Sequence, residues 1–173
     1  MSKRVALTGA PRAGKSTLLA KILNRLDCMA GGVLAREVRR DGERIGFELQ
    51  DLMGGEVENL ASIEGEGPRL GKYRINLRDL EEIGAKAIDR ATKEADLVVI
   101  DEVGPMELFS DGFVRAVETA LESDKPMVVV QAKSQHPLAK RIREDFRLVT
   151  VTEKNRDDLA EEIASEFTSL ILM

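Results

Sequence analysis

Short apolar runs alternate with longer stretches in which apolar residues recur every three or four positions, and this rhythm organises the whole chain. Arg4–Thr8 is an apolar run closed by a glycine turn and reads as a buried strand. Leu18, Leu19, Ile22, Leu23 and Leu26 then trace a helix over Gly14–Leu26. Gly31 and Gly32 break the pattern. Val33–Arg39 and Glu43–Leu52 follow as extended segments joined through Arg40-Asp41-Gly42, and Asp-Gly between two such segments is a strong hairpin signal. This hairpin is expected to run antiparallel to the rest of the sheet. Gly54–Gly71 reads mostly as loop with one short strand at Val57–Leu60, and Lys72–Leu77 as another strand.

In the second half, Leu80, Ile83, Ala87, Ile88 and Ala91 form one helical stripe. Leu97–Ile100 and Met127–Val130 are unbroken apolar runs, the mark of parallel strands covered on both faces. Helices are predicted over Phe109–Leu121, over Leu138–Glu144 and from Arg156 onward, with a strand at Arg147–Val151. Strand and helix alternate throughout, which predicts a three-layer α/β fold: a mostly parallel central sheet with an antiparallel hairpin excursion. No linker or repeat divides the chain, so residues 1–173 are read as a single domain.

Composition narrows the partners. A net charge of −5 argues against a surface built to neutralise nucleic-acid phosphates. The single Cys28 leaves no internal disulfide, and with one histidine it gives no zinc-site spacing. No apolar run is long enough to span a membrane, and the start Met1-Ser2-Lys3-Arg4 leads into an apolar stretch too short for a secretory leader. A cytoplasmic protein, monomeric, is the expectation.

The chemistry is concentrated where the first strand meets the first helix. Gly9-Ala10-Pro11-Arg12-Ala13-Gly14-Lys15-Ser16-Thr17 satisfies the P-loop pattern in full. Its glycines let the backbone wrap a phosphate with amide hydrogens inward, and the helix that starts there adds the positive end of its dipole. Lys15 is placed to reach β- and γ-phosphates, and the Ser16 hydroxyl to ligate Mg2+. The apolar strand Leu97–Ile100 ends in Asp101 and Glu102. Beyond such a strand an Asp holds the metal, and Glu102 is placed to orient and deprotonate a water. Adjacent strand residues point to opposite faces, so the two carboxylates divide the work. The same run fits the D-x-x-G element of switch GTPases, but Gln131-Ala132-Lys133-Ser134 does not supply the N-K-x-D guanine element. These features predict the three-layer P-loop NTPase fold of the RecA-like kind, with Mg2+ as cofactor and ATP, GTP and other nucleoside triphosphates as ligands.

With the motifs placed, the chain resembles the THEP-type nucleoside-triphosphatase family. The resemblance is carried by Gly9–Thr17, by Glu37-Val38-Arg39, Gly42, Arg44 and Gly46-Phe47, and by Gly71-Lys72-Tyr73. Asp101-Glu102-Val103-Gly104-Pro105-Met106-Glu107-Leu108 and His136-Pro137 complete it. It implies magnesium-dependent hydrolysis of several nucleoside triphosphates with little base selectivity, with Glu102 matching the catalytic glutamate. Ala35, where a Thr is usual, and Gln131-Ala132-Lys133 depart from the family pattern.

Other polar residues have both a chemical and a structural reading. Arg12 could meet the γ-phosphate or stay solvated, and the latter is favoured. Among the hairpin arginines, Arg36 and Arg40 should share one face and Arg39 the other. Salt-bridging to Glu37, Asp41 and Glu43 is the simpler role for them, with Arg39 the choice if one assists catalysis. Gln131 at a strand tip could touch the water or γ-phosphate, as could Lys133. His136, Glu107 and Tyr73 have structural readings: a helix start, a loop fixture and a core or base contact. Two rivals to a hydrolase are weighed. A nucleotide or small-metabolite kinase would need an arginine-rich lid, for which Lys140-Arg141-Ile142-Arg143 is the short candidate. A nucleotide-dependent binding module would bind without turnover.

Overall fold

Along the central strands, successive apolar residues go to opposite sides, and each side has its own helices. Val5, Leu7, Leu97, Val99, Val128 and Val130 join one buried cluster with Leu18, Leu19, Ile22, Ile163 and Phe167. Ala6, Val98, Ile100, Met127 and Val129 join another with Ile88, Ala91, Phe113, Val117, Leu138 and Ile142. A strand buried on both faces has no polar side to alternate with, which is why these runs are unbroken in the sequence. The computed structural model describes residues 3–172; Met1 and Ser2, at the start weighed as a leader, lie outside them, as does Met173.

Among the described residues the strands form one nine-stranded sheet in the order β5-β6-β4-β3-β2-β7-β8-β1-β9. Its parallel part comprises β2 (Ala30–Arg40), β7 (Leu97–Val103), β8 (Met127–Gln131), β1 (Arg4–Thr8) and β9 (Arg147–Thr150). Helices α1 (Lys15–Arg25) and α6 (Arg156–Leu172) cover one face, and α3 (Lys86–Glu94), α4 (Asp111–Glu122) and α5 (Pro137–Asp145) the other. The three predicted layers are present. Among the described residues no helix is long and apolar enough to cross a membrane.

The antiparallel part is larger than a hairpin. β3 (Glu43–Asp51) turns back on β2 and continues into β4 (Val57–Ser62), β6 (Tyr73–Ile75) and β5 (Arg69–Leu70). Only β3 of the hairpin reverses direction, because β2 is itself parallel to β7 through Ala30–Val33. Gly31 and Gly32, read as a break, lie inside β2. The reason is steric: Gly32 has φ +117, and a side chain there would collide with the Val99 carbonyl of β7. Its glycine permits close strand contact and does not interrupt it. Past Val33, β2 runs on to Arg40 paired with β3 alone, so the hairpin overhangs the end of the parallel sheet. Asp41 (φ 54) and Gly42 (φ 78) turn it with both central residues left-handed, the geometry that Asp-Gly announces.

Four motif residues of this region pack against one another. Phe47 and Tyr73 meet edge to face with centroids 5.3 Å apart. Arg44 lies over both rings, donates from Nε to the Tyr73 hydroxyl at 2.9 Å and pairs with Glu37 at 3.1 Å. One arginine thus fastens β2, β3 and β6 together, and Tyr73 is 6% exposed. The helical stripe predicted from Leu80 is real but not uniform. A short turn, α2 (Leu77–Asp79), leads into a π-helical turn at Leu80–Ala85 before α3. The extra residue per turn moves Ile83 to the margin and buries Gly84 against Leu49 and Phe113.

Gly32→Ala should lower stability by at least about 2 kcal/mol, from both the φ and the collision. Gly42→Ala, whose Cβ meets nothing within 4 Å, should cost only about 1 kcal/mol. Urea unfolding of the two variants measures the difference; equal losses would mean that β2 and β7 separate easily.

Candidate active site

β1 delivers the chain into the phosphate loop at the end of the parallel sheet, and the loop's shape follows from three left-handed residues. Gly9 has φ 146, Arg12 φ 68 and Gly14 φ 96. Ala13 N donates to Ala10 O at 3.1 Å, and α1 begins when Leu18 N reaches Gly14 O at 2.8 Å. Gly14, the N-cap, offers no side chain and the first turn holds no acidic residue. The leading amides of α1 are therefore left for an anion. Lys15 folds back so that Nζ donates to Gly9 O at 3.0 Å, closing the loop on itself. Arg12 projects as an exposed residue, as the solvated reading expects.

One strand, β8, separates β1 from β7. Across that gap the Ser16 hydroxyl donates to Asp101 Oδ2 at 2.8 Å, bringing together residues 85 positions apart. Asp101 is 3% exposed, and burial pushes its carboxyl up to about 7; Glu102 raises it further while the Ser16 bond and Lys15 oppose. Burial also raises Glu102, against the pull of Lys15. A register shift against β8 between Asp101 and Val103 ends the regular pleat there. Gly104 then allows a third carboxylate to approach. A Cβ on it would lie 2.8 Å from Glu102 Oε1 and 3.2 Å from Glu107 Oε1. Glu107, buried, accepts from Gly104 N at 3.2 Å and so fixes this turn, as read from the sequence. Desolvation raises its carboxyl well above the ordinary range, and the charges of Glu102 and Asp101 add to this.

These groups suit a hard cation. Among the described residues no three His, Cys, Asp or Glu side chains cluster as a metal cage. A hydroxyl and a carboxylate 2.8 Å apart beside a phosphate loop instead suit a divalent cation that keeps waters and substrate oxygens in its shell.

Gln131 ends β8 beside Val103, 3% exposed. Its Nε2 donates to Ala139 O at 2.7 Å, while its Oε1 is buried with no partner among the described residues. Arg36, Arg39 and Arg44 of the hairpin are occupied locally, and Arg40 is exposed. Arg39 pairs with Glu37 and donates to Gly42 O at 3.1 Å, and Arg36 pairs with Glu48 directly across the ladder. His136 caps α5, its Nδ1 accepting from Leu138 N at 3.1 Å. Of the suggested lid cations, Arg141 pairs with Glu122 and Asp145, and Arg143 donates to Ser134 O at 3.0 Å. Lys133 is exposed.

One residue that the sequence left inside the last helix lies at the loop. Arg156, first in α6, has its Cζ 3.3 Å from where a Gly14 Cβ would stand. The available signal was local: a cation at the first helical position faces the positive end of the dipole, in a turn otherwise acidic with Asp157 and Asp158.

Comparison with known proteins agrees with this fold. A model described as NTPase matches residues 4–164. The nucleoside-triphosphatase THEP1 of Methanosarcina acetivorans is 50% identical over 169 residues, covering 95% of this chain and 96% of that protein. The THEP1 crystal structure from Aquifex aeolicus superposes with a TM-score of 0.83 at 32% identity, covering 94% and 98% of the two chains. The solution structure of a human cancer-related nucleoside triphosphatase gives 0.75 at 30% identity, covering 96% and 97%. The P-loop fold and the family resemblance read from the sequence are both borne out.

The raised carboxyl of Asp101 has a consequence for the metal-free protein. Asp101 holds its proton more tightly when folded than when unfolded. Its contribution to stability is therefore complete below the unfolded value of about 4 and is lost as pH rises through about 7. Asp101→Asn should gain on the parent across that window, by a few kcal/mol at most at about 1.4 kcal/mol per pH unit. Unfolding in a chelator at pH 5 and pH 8 checks this; a difference independent of pH would mean that the carboxyl ionises normally.

Proposed function

The chain belongs to the NTPase family, and we propose that it is a magnesium-dependent nucleoside-triphosphate phosphohydrolase acting on ATP, GTP and other triphosphates with little preference among bases. The carrying observation is the Ser16–Asp101 hydrogen bond, which joins the phosphate loop to the strand whose next residue is Glu102. A hydrolase needs a phosphate cradle, a metal position and a base at one place, and this contact supports all three.

The loop N–H groups between Gly9 and Ser16, Pro11 excepted, and the start of α1 hold the β- and γ-phosphates. Lys15 exchanges its bond to Gly9 O for phosphate oxygens and counters the negative charge that shifts toward the β–γ bridge in the transition state. Magnesium held by Ser16 and Asp101 would screen the phosphate oxygens. Glu102, half-buried with its proton affinity raised toward that of a working base, orients a water in line with the γ-phosphorus and takes its proton. The water oxygen forms the new bond to phosphorus as the bond to the bridging oxygen breaks, giving the nucleoside diphosphate and inorganic phosphate. Glu107 holds the Gly104 turn and thereby positions Glu102. Gln131, whose unpartnered Oε1 can accept from the water, and Arg39, which can donate to the γ-phosphate, are the next residues to test. The working unit is the single chain as one domain, in the cytoplasm.

A kinase has less support, because Arg141 and Arg143 of its suggested lid are engaged by Glu122 and by Ser134 O. Phosphate release with magnesium and each of ATP, GTP, CTP and UTP tests the proposal. All four should be turned over, and Glu102→Ala should lose about a hundredfold or more while still binding nucleotide. Binding without phosphate release by the parent protein would overturn the hydrolase.

A further inference from the structure

We infer that Arg156, with the turn Thr152–Asn155 that delivers it, forms the nucleoside end of the site, its guanidinium taking the base by stacking. The inference rests on reading the P-loop as a triphosphate site and goes beyond it in saying where the nucleoside lies and what holds it.

The direction of the ligand follows from strand order. β8 and β7 lie on one side of β1 and β9 on the other. The groups suited to metal and water, Asp101 and Glu102, end β7. A triphosphate with its γ-phosphate there and its β-phosphate in the loop sends the α-phosphate and nucleoside the opposite way, toward β9. The turn between β9 and α6 is what the chain has placed on that side.

This turn is pressed onto the loop. Val151 N donates to Thr8 O at 2.7 Å, and a Cβ on Gly9 would lie 2.7 Å from Val151 O. On Gly14 a Cβ would collide with Arg156 Nη1 and lie 2.9 Å from its Cδ. The two loop glycines thus admit the β9–α6 turn as well as a phosphate. The turn is also stiff. Thr152 N donates to Asn155 Oδ1 at 2.8 Å, Asn155 N to Thr152 Oγ1 at 3.2 Å, and Asn155 Nδ2 to Thr150 O at 2.9 Å. Arg156 therefore leaves a fixed point.

Folding does not account for Arg156. Its position opposes the dipole of α6, the neighbouring Asp157 is paired with Lys21, and its Nε is buried with no partner among the described residues. A guanidinium is planar, delocalised and weakly hydrated, and its face attracts any base. Thr152, Glu153 and Lys154 are exposed and build no enclosing pocket, so nothing reads the base edges. Stacking of this kind tolerates every base because each has a π-face, which is the selectivity expected of a broad nucleoside-triphosphatase.

Equilibrium binding with magnesium, of ATP and of inorganic tripolyphosphate, tests this on the whole chain and on Arg156→Ala and Arg156→Lys. The parent should prefer ATP, and both variants should reduce the ATP-to-tripolyphosphate affinity ratio by about tenfold or more. No preference in the parent, or equal losses for both ligands in Arg156→Ala, would overturn the inference. A preference restored by Arg156→Lys would also overturn it, since that would make the contact a charge on the α-phosphate. The readout needs no turnover, so a protein with this preference but no phosphate release would sink the hydrolase alone.

Discussion

β1, β8 and β7 are covered by helices on both faces, so their peptide groups can be satisfied only within the sheet and the chain can change direction only beyond their ends. Everything polar in the site stands at that boundary. Thr8 opens the phosphate loop, Asp101 and Glu102 end β7, Gln131 ends β8, and Val151 follows β9. The burial that makes the core also gathers groups far apart in sequence onto one edge, held to the precision of a packed interior.

That edge carries a concentration of like charge that folding alone would not favour. Asp101, Glu102 and Glu107 are desolvated together, and the nearby cation is Lys15. The protein bears this cost in its unliganded form, as sites that must act on a charged ligand do. The cluster is ordered from outside: Ser16 restrains Asp101, and Gly104 holds Glu107 through its amide.

How far the sequence could be read depended on whether each signal was local. The unbroken runs Leu97–Ile100 and Met127–Val130 announced strands buried on both faces, and the P-loop announced its own turn and helix. Phosphate loop, metal pair and base were legible because each sits in a contiguous motif. Gly31 and Gly32 were misread because their roles depend on partners remote in sequence, Met53 and Ala91 for the first and Val99 for the second. The π-helical turn was hidden because Leu80, Ala87, Ile88 and Ala91 keep helical spacing on both sides of it. The meander from β3 to β5 was underestimated because β5 and β6 are only two and three residues long, the segments joining β3, β4, β5 and β6 are rich in glycine, and register with neighbours defines these strands. Arg156 was missed although its place against the helix dipole was a local signal, because only the packing of β9 and α6 against Gly14 brings it to the loop.

The strand order also sets when the site can exist. β1 is the first strand made, yet its two neighbours, β8 and β9, are the seventh and eighth of the remaining eight to emerge. A growing chain can pair β2 with β3 and β4 early, through contacts close in sequence, while the strand bearing the phosphate loop waits without partners. Closing it into the sheet is a late, long-range event, and only then does Val151 come to rest against Gly9. Nucleotide would therefore engage a chain in which β8 and β9 have already been made and not an earlier nascent fragment, so that competence to bind doubles as a signal that the sheet has closed.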